Sequence, residues 1–375
     1  MARLHHNPRA TRGEAAPPVG DAAPATGRPG EAAPPAADGP LRFHRTLPGY
    51  APTPLVDAPA AAAALGVARV LVKDESARLG MPSFKILGAS WATYRALARD
   101  GETLDNLRAR LGGRLELVAA TDGNHGRAVA RMATLLGLSA HILVPHDMVG
   151  ARREAIAGEG ARVTVVEGGY DDAVAASAAL ADADHVVISD TSWPGYEQVP
   201  AWVIEGYATI GAELDAQLAA PPDVVAAQAG VGAFAAALTA HFRPQGATIV
   251  AVEPDHAACV IASAEAGRIV TVPGPHDSIM AGLNCGAPSL IAWPVLERGV
   301  DVFTTVDDDA ARDAMRLLAA DGIVAGESGA AGLAGLLVHR EALGLRADQV
   351  VLTVSTEGAT DPAAYEEIVG TACAR

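Results

Sequence analysis

The fold is decided by residues 115–136, which read LELVAATDGNHGRAVARMATLL. Residues 115–120 form an apolar run with the length of a buried strand, and the polar turn of residues 121–126 follows directly. Beyond the turn, apolar residues recur at helical spacing as far as Leu136. A strand that leads through a short turn into a helix is the repeating unit of a parallel α/β sheet.

The same alternation extends in both directions along the chain. Helical periodicity separates apolar, strand-like runs, which lie at residues 70–72, 141–144, 163–166, 186–188, 224–228, 249–252 and 350–354. Because strands joined through helices pair in parallel, we predict an α/β protein with helical crossovers.

Composition narrows the classes of partner. The chain of 375 residues carries a formal net charge of −16, which disfavours nucleic acid and anionic membrane surfaces as partners. No apolar run reaches the roughly 18 residues of a membrane span. Cys259, Cys285 and Cys373 have neither metal-ligand spacing nor the pattern of a secreted disulfide framework. We expect a cytoplasmic protein without a metal, and whether Cys259 and Cys285 pair stays open.

Residues 1–40 differ from the rest of the chain. They are rich in Ala, Pro, Gly and charged residues and show no apolar periodicity. Such a segment cannot bury enough apolar surface to offset the entropy of ordering. We predict a disordered tail over residues 1–40, with the folded part beginning near Phe43.

Lysine is rare in this chain, since Lys73 and Lys85 are the only lysines among 28 basic residues. Arginine stays charged and is a poor nucleophile, whereas a desolvated lysine amine can lose its proton and react. Lys85 is therefore a candidate imine-forming lysine, and its chance survival on a helix is the alternative. We expect Lys73, with Asp74 and Glu75, to form a buried ion-pair brace.

Three turns at the ends of predicted strands carry groups suited to ligand binding. Residues 228–233 (QAGVGA) contain glycines that let backbone amides approach an anion at a helix N terminus. A dinucleotide site is the alternative, with Glu253 as its acidic residue. Residues 121–126 and 355–358 follow strands where open α/β sheets bind ligands, although both strings also suit simple turns.

In this order the motifs resemble those of fold-type II pyridoxal phosphate enzymes, and among them the diaminopropionate ammonia-lyases. The resemblance extends over nearly all of the chain after the tail. The matching stretches are residues 43–55 (FHRTLPGYAPTPL), 73–76 (KDES), 120–127 (ATDGNHGR), 190–193 (DTSW), 195–197 (GYE), 228–233 (QAGVGA), 279–283 (IMAGL) and 355–358 (STEG). Asp122 is typical of this family, whereas serine/threonine dehydratases usually have serine at that position. Cys259 and Cys285 resemble a cysteine pair of the same family.

The resemblance implies two open, twisted, mostly parallel sheets flanked by helices, with pyridoxal 5'-phosphate in a cleft between a large and a small domain. We place the large domain at residues 41–90 and 205–375, and the small domain at residues 91–204. A homodimer acting on a small amino-acid substrate in amino-acid catabolism is also implied.

The resemblance also assigns roles at the cofactor. Lys85 would hold it covalently and later act as a base, while Phe84 packs in front of it. Asn124 would bond the ring hydroxyl, and Ser355 or Thr356 would face the ring nitrogen. The phosphate would lie against the backbone amides of Gly230, Val231, Gly232 and Ala233.

Two carboxylates complete the predicted chemistry, an elimination on 2,3-diaminopropionate that gives pyruvate and two ammonia. Lys85 and Asp122, on opposite faces of the substrate, would serve its two enantiomers. Asp190 would receive the β-ammonium. His125 we expect to be structural, packing under the loop.

Departures from the family pattern flank the reactive lysine, with Ala77 in place of tyrosine and Met81-Pro82-Ser83 in place of Leu-Asn-Ala. The substrate could therefore differ, and a dehydratase or β-replacement enzyme on another β-substituted amino acid is the alternative. A dinucleotide-dependent dehydrogenase is the hypothesis from a different class, and it gives Lys85 no role.

Overall fold

The computed structural model describes residues 2–11, 39–121 and 123–372. Within them it has eleven strands and fourteen α-helices, in the alternating order that the sequence predicts. The strands are β1 (Leu4–His6), β2 (Leu55–Asp57), β3 (Arg69–Asp74), β4 (Glu116–Ala120), β5 (Ser139–Pro145), β6 (Arg162–Val166), β7 (His185–Val187), β8 (Val224–Gln228), β9 (Thr248–Pro254), β10 (Val302–Val306) and β11 (Val350–Ser355).

The helices cover half of the remaining described residues. They are α1 (Gly39–His44), α2 (Pro59–Leu65), α3 (Lys85–Leu97), α4 (Leu104–Leu111), α5 (Asn124–Leu136), α6 (Gly150–Gly158), α7 (Tyr170–Ala178), α8 (Gln198–Gln217), α9 (Ala233–Phe242), α10 (Cys259–Ala266), α11 (Trp293–Gly299), α12 (Asp308–Ala320), α13 (Glu327–His339) and α14 (Pro362–Val369). In the described part of the chain, no helix combines the length and apolar character that a bilayer crossing requires.

The chain divides into two compact units. The first unit contains Ala51–Phe84, the described residues from Ile210 onward and those at the N terminus. The second contains Lys85–Thr209 and the described residues that precede Ala51. We predicted divisions after residues 90 and 204, whereas the units divide between Phe84 and Lys85 and between Thr209 and Ile210. The α1 helix belongs to the second unit, although we place its residues 39–40 in the tail and its residues 41–44 in the large domain.

The first unit is built on a seven-stranded sheet with the strand order β1-β10-β9-β8-β11-β3-β2. The five central strands pair in parallel, and the two edge strands are antiparallel. The central strands are almost fully buried, as expected for a parallel sheet covered by helices. Because β8 and β11 are neighbours, the residues that follow Gln228 and Ser355 lie at the same edge of the sheet.

The second unit is built on a four-stranded parallel sheet with the order β6-β5-β4-β7. Val118 of β4 is level with Val187 of β7. The turn after β4 and the segment after β7 therefore leave the sheet side by side at its carboxyl edge. The two sheets confirm the predicted fold class.

The prediction of a disordered tail over residues 1–40 is wrong for its first part. Leu4–His6 forms β1, which pairs antiparallel with β10 at the edge of the large sheet. Arginines on either side of the strand hold it there, since Arg3 pairs with Glu265 and Arg9 donates to the Ala264 carbonyl at 2.9 Å. A three-residue strand that pairs with residues 302–304 has no local periodicity to reveal it. Residues 12–38 of the predicted tail lie outside the described residues.

A buried cluster of charges lies beside β3 in the first unit. Arg78 donates to both Glu75 and Glu213 at 2.6 Å, and Lys73 Nζ donates to Glu213 Oε2 at 2.7 Å. All four side chains are at most 2% exposed. This confirms the brace predicted for Lys73 and Glu75, although the anion that pairs with Lys73 is Glu213 from α8. Asp74 is not part of it and accepts from the Ser76 amide instead.

Glu213→Gln is expected to lower the free energy of unfolding by about 3–5 kcal/mol, because it leaves two buried cations without their shared anion. The matched control is Asp57→Asn, which removes one partner of the ion pair with Arg69, where both side chains are about half exposed. The control should cost less than about 1 kcal/mol. Denaturant unfolding of both variants measures the difference, and equal losses would contradict a structural role for the cluster.

The stabilisation that Glu213 contributes, measured with the same variant, depends on pH. Burial alone would raise the pKa of Glu213, but the hydrogen bonds and charges of Arg78 and Lys73 lower it by more. The net effect is a fall of the pKa from 4.5 to about 2. Since the pKa is lower in the folded state, the stabilisation is complete above about pH 4.5 and is lost as the pH falls toward about 2. The difference in unfolding free energy between the wild type and Glu213→Gln should therefore narrow over that window.

Candidate active site

In the first unit, the candidate site forms where β8 and β11 end. Gln228, the last residue of β8, is buried, and its Nε2 donates to the Val354 carbonyl at 3.0 Å and to Thr356 Oγ1 at 2.9 Å. This side chain fixes the loop after β11 against the loop after β8. Ser355 and Thr356 are both buried in consequence.

The glycine turn after β8 leads into the N terminus of α9. Gly232 has a φ of +90° and caps the helix, and a Cβ on it would lie 2.6 Å from Leu296 Cδ1. A Cβ on Gly230 would lie 3.0 Å from Cys285 Sγ and 3.2 Å from the Gly282 carbonyl oxygen. Both positions therefore require glycine, and the turn has no room for side chains there.

The segment that precedes the candidate lysine runs along the loop after β11. The Phe84 amide donates to the Thr356 carbonyl at 3.1 Å, and the Gly358 amide donates to the Pro82 carbonyl at 2.9 Å. The Phe84 ring packs on Phe234 in the first turn of α9, with 4.7 Å between ring centroids. The structure thus brings Phe84, residues 230–233 and the hydroxyls of Ser355 and Thr356 together in one unit.

This arrangement fits an anionic cofactor phosphate. The first backbone N–H groups of α9 have no acceptors inside the helix, and the helix dipole favours negative charge at that end. The glycines at positions 230 and 232 keep side chains out of the approach. A phosphate held by Gly230, Val231, Gly232 and Ala233 is therefore compatible with the residues present.

The dinucleotide alternative is disfavoured by the position of Glu253. Its two carboxylate oxygens accept from the backbone amides of Val260 and Ile261 at 2.7 Å each, at the start of α10. The side chain is buried, and this burial raises its pKa to about 8. Glu253 is thus engaged as a helix cap and does not face a ribose site.

In the second unit, Lys85 is the first residue of α3, and a close helix crossing positions it. A Cβ on Gly206 of α8 would lie 2.5 Å from the Leu87 carbonyl oxygen, and one on Gly88 would lie 2.6 Å from the Tyr207 ring. Tyr207 is buried at this crossing and interacts with Lys85. Two glycines therefore let the helices approach closely enough to place Tyr207 beside the lysine.

Lys85 and Asp190 form the central ion pair of this unit. Lys85 Nζ lies 2.7 Å from Asp190 Oδ2, and their side chains are 17% and 7% exposed. Burial would raise the pKa of Asp190, but the charge of Lys85 and its hydrogen bond to the carboxylate hold that pKa well below its ordinary value. The Tyr170 hydroxyl donates to the other carboxylate oxygen at 3.3 Å. Asp190 is therefore an ionised carboxylate at neutral pH.

Thr121 shapes the turn after β4. Its Oγ1 accepts from the amides of Gly123 at 2.9 Å and Gly126 at 3.0 Å. A Cβ on Gly126 would lie 2.4 Å from Thr121 Cγ2, so this position also requires glycine. The turn places Asn124 at the start of α5, partly exposed. Asp122 lies outside the described residues.

His125, which the sequence predicts to be structural, lies beside the ion pair of Lys85 and Asp190. Its ring is 3% exposed, and its Nδ1 lies 3.8 Å from Asp190 Oδ2. Sequence reasoning also missed Tyr170 and Tyr207 as neighbours of the ion pair. Tyr207 is buried and Tyr170 is partly exposed at the start of α7, and only the tertiary structure shows which carboxylate or amine they contact.

Both cysteines of the predicted pair are buried. Cys259 Sγ contacts the Gly230 carbonyl at 3.8 Å, and Cys285 lies against the same glycine. Burial raises the pKa of Cys259 well above its ordinary value. Both side chains thus pack behind the glycine turn, and Cys259 does so as a neutral thiol.

Comparisons with known proteins give a consistent family. The family model described as "Pyridoxal-phosphate dependent enzyme" matches residues 46–357. Diaminopropionate ammonia-lyase from Escherichia coli K12 is 38% identical over 88% of this chain and 89% of its own length. The enzyme of that name from Salmonella typhimurium is 37% identical over 88% of this chain and 90% of its own length.

Solved structures agree with the sequence comparison. The crystal structure of E. coli diaminopropionate ammonia-lyase with D-serine superposes with a TM-score of 0.87 at 34% identity, over 98% of this chain and 97% of that chain. The same enzyme with an aminoacrylate–PLP azomethine reaction intermediate gives a TM-score of 0.85 at 33% identity, with the same coverage.

Gly232→Ala is expected to weaken pyridoxal phosphate binding by at least about tenfold, because the new Cβ displaces Leu296 or the turn that bears the amides. The matched control is Gly246→Ala. Gly246 also has a φ of +90°, but nothing lies within 4 Å of its Cβ position. Both variants should lose roughly 1–2 kcal/mol of stability through left-handed strain. Absorbance titration with the cofactor should separate them, and equal affinities would contradict the phosphate assignment.

Proposed function

This chain belongs to the diaminopropionate ammonia-lyase family of pyridoxal-phosphate-dependent enzymes, and we propose that it eliminates ammonia from 2,3-diaminopropionate. The overall reaction gives pyruvate and two molecules of ammonia. The observation that carries the proposal is the ion pair of the partly exposed Lys85 with the buried Asp190, with 2.7 Å between Nζ and Oδ2. It combines an amine that can react with a carbonyl group and a carboxylate that can bind a second ammonium.

Pyridoxal phosphate, when bound, supplies an electron sink that acidifies the α-proton of the amino acid joined to it. The chain's own residues would hold it at four points. Lys85 would hold it covalently, and the amides of residues 230–233 would bind its phosphate. Asn124 would donate to its ring hydroxyl, and a hydroxyl from Ser355 or Thr356 would face its ring nitrogen.

Two bases explain how both enantiomers could react. Lys85 Nζ would take the α-proton of one enantiomer, and the Asp122 carboxylate would take that of the other from the opposite face. A carboxylate near a cofactor becomes a competent base when it is partly desolvated, which raises its pKa. The glycine-flanked turn after β4 is suited to provide that environment.

Asp190 favours a diamine over other β-substituted amino acids. Its carboxylate is ionised, because the charge of Lys85 holds its pKa low. An ionised buried carboxylate attracts a β-ammonium and repels a second substrate carboxylate. A dehydratase acting on hydroxyaspartate is disfavoured for that reason.

We also propose that the protein works as a homodimer in the cytoplasm, in the catabolism of amino acids. Cys259 is a buried, neutral thiol, which is consistent with a reducing compartment. Light scattering at several concentrations would test the dimer, and a monomeric mass throughout would contradict it.

The test of the proposed reaction combines one spectrum and one assay on the purified protein. A visible absorption band should be present in the wild type and absent in Lys85→Ala, and pyruvate should form from both D- and L-diaminopropionate. Asp122→Asn should lose activity about 100-fold or more with one enantiomer and retain it with the other. No band after addition of pyridoxal phosphate would refute the proposal, and a band without pyruvate would refute the substrate.

Asp190→Asn is expected to lower kcat/KM for diaminopropionate by about 10–100-fold, since a charge-assisted hydrogen bond to the β-ammonium is lost. The loss should be smaller with serine, whose β-hydroxyl is neutral. The control is Asp182→Asn, an exposed aspartate that pairs with His185. Equal losses on both substrates would show that Asp190 acts without regard to the β-substituent.

A further inference from the structure

Two hydrogen-bond acceptors lie side by side next to Lys85 in the second unit. They are Asp190 Oδ2 and His125 Nδ1, which are 3.8 Å apart and belong to side chains that are 7% and 3% exposed. The elements that supply them, the segment after β7 and the first turn of α5, leave neighbouring strands of one sheet. The sequence analysis gave His125 no function.

The hydrogen bonds of His125 define its tautomer. Its Nε2 lies 2.8 Å from the Ile188 carbonyl oxygen, which can only accept, so Nε2 carries the proton. Burial lowers the pKa of His125, and this effect outweighs the opposing effect of Asp190, so the ring is neutral. Nδ1 therefore presents a lone pair, and it has no hydrogen-bond partner among the residues that the structure describes.

A lone pair next to a carboxylate oxygen is favourable only where a donor or a cation serves both. A primary ammonium suits this position because it has three N–H donors on one small charged centre. In this chain the ammonium of Lys85 is the cation at Oδ2, at 2.7 Å. The groups that face it are the Asp190 carboxylate, the His125 ring and the hydroxyl of Tyr207, and Tyr170 bonds the outer carboxylate oxygen.

We propose that Asp190 Oδ2 and His125 Nδ1 form an ammonium site, in which Oδ2 binds Lys85 when no cofactor is bound and both atoms receive the substrate's β-ammonium once Lys85 is engaged elsewhere. The proposal rests on the proposed function and deepens it, because it makes His125 a residue that selects the leaving group. The protonated amine is the form bound. When the bond between the β-carbon and nitrogen breaks, its electron pair goes to nitrogen and neutral ammonia leaves, so neither acceptor has to take a proton.

Two acceptors discriminate between substrates. A β-ammonium can donate to both atoms at once, whereas the β-hydroxyl of serine has one hydrogen and leaves one buried acceptor unpaired. Unpaired buried groups are what make a polar site reject an analogue. The pair therefore favours a β-amine over a β-hydroxyl.

Two substitutions separate this role from a structural one. His125→Gln places an amide N–H near the position of Nε2, so it can still donate to the Ile188 carbonyl, but it removes the acceptor at Nδ1. His125→Asn does the reverse, with an amide oxygen near Nδ1 and no donor for Ile188. An ammonium site predicts that Gln is the more damaging variant, and a merely structural histidine predicts that Asn is.

The first experiment needs no cofactor. Lys85→Ala removes the resident ammonium, and calorimetric titration with methylammonium should then show saturable binding. Tetramethylammonium, which has no N–H donor, is the control ligand and should not compete. Adding His125→Gln should weaken methylammonium binding by at least about tenfold, and adding His125→Asn should weaken it less. Binding that is equal with and without His125→Gln, or equal competition by tetramethylammonium, would overturn the proposal.

A second measurement leaves the chain unchanged. Nitrogen-15 shifts of the His125 ring at neutral pH should report the tautomer with the proton on Nε2, and a proton on Nδ1 would overturn the proposal. In the loaded enzyme, His125→Gln should lower kcat/KM for diaminopropionate more than for serine. Methylammonium binding that depends on His125 would support the site even if diaminopropionate proved not to be the substrate. If diaminopropionate is eliminated but methylammonium binding does not depend on His125, the ammonium site is refuted and the proposed function remains intact.

Discussion

The ion pair between Lys85 and Asp190 joins residues that are 105 positions apart in the sequence. Several elements of the second unit position its two side chains. Two separate constraints meet there. The parallel pairing of β4 with β7 brings the turn with His125 next to the segment with Asp190. The glycines at positions 88 and 206 let α3 and α8 approach closely, which places Lys85 and Tyr207 together. Loss of either constraint would separate an amine from the carboxylate that keeps it oriented.

The first unit depends on a comparable constraint. The buried charges of Lys73, Glu75, Arg78 and Glu213 fix the chain just before the segment that ends at Phe84. That segment is then held by backbone bonds to the loop after β11, and Phe84 by the ring of Phe234. The cluster is stable because its charges balance and every ion has a partner, which a buried ion needs to offset its desolvation. Its function is to give the strand end and the adjoining turn a single geometry.

Local sequence patterns were sufficient to predict most of the fold and the part of the candidate site that lies in the first unit. The alternation of strand and helix predicted two parallel sheets, since buried parallel strands read as apolar runs. The glycine turn at residues 228–233 was predictable because glycine is required where a Cβ would meet Leu296 or Cys285. The β1 strand was not predictable, because three residues carry no period and its partner β10 lies about 300 residues away. The contacts of His125 could not be predicted either, because the local sequence Asn-His-Gly does not indicate which carbonyl and which carboxylate the ring contacts.

From the sequence, the rarity of lysine indicates a reactive amine at Lys85. In the structure, the second lysine also occupies a position that suits an ammonium. Lys73 is not reactive, yet its Nζ lies 2.7 Å from the Thr53 carbonyl oxygen, 2.7 Å from Glu213 Oε2 and 2.8 Å from Gln217 Oε1. Three acceptors around one nitrogen suit a compact ammonium and exclude a planar guanidinium, whose donors point along a fixed fork. Both lysines that the chain retains therefore occupy positions built for an ammonium. They differ in what else can enter, because Lys73 is 0% exposed while Lys85 is partly exposed. This difference in accessibility separates the position of Lys85, where we propose a substrate site, from the brace in the core.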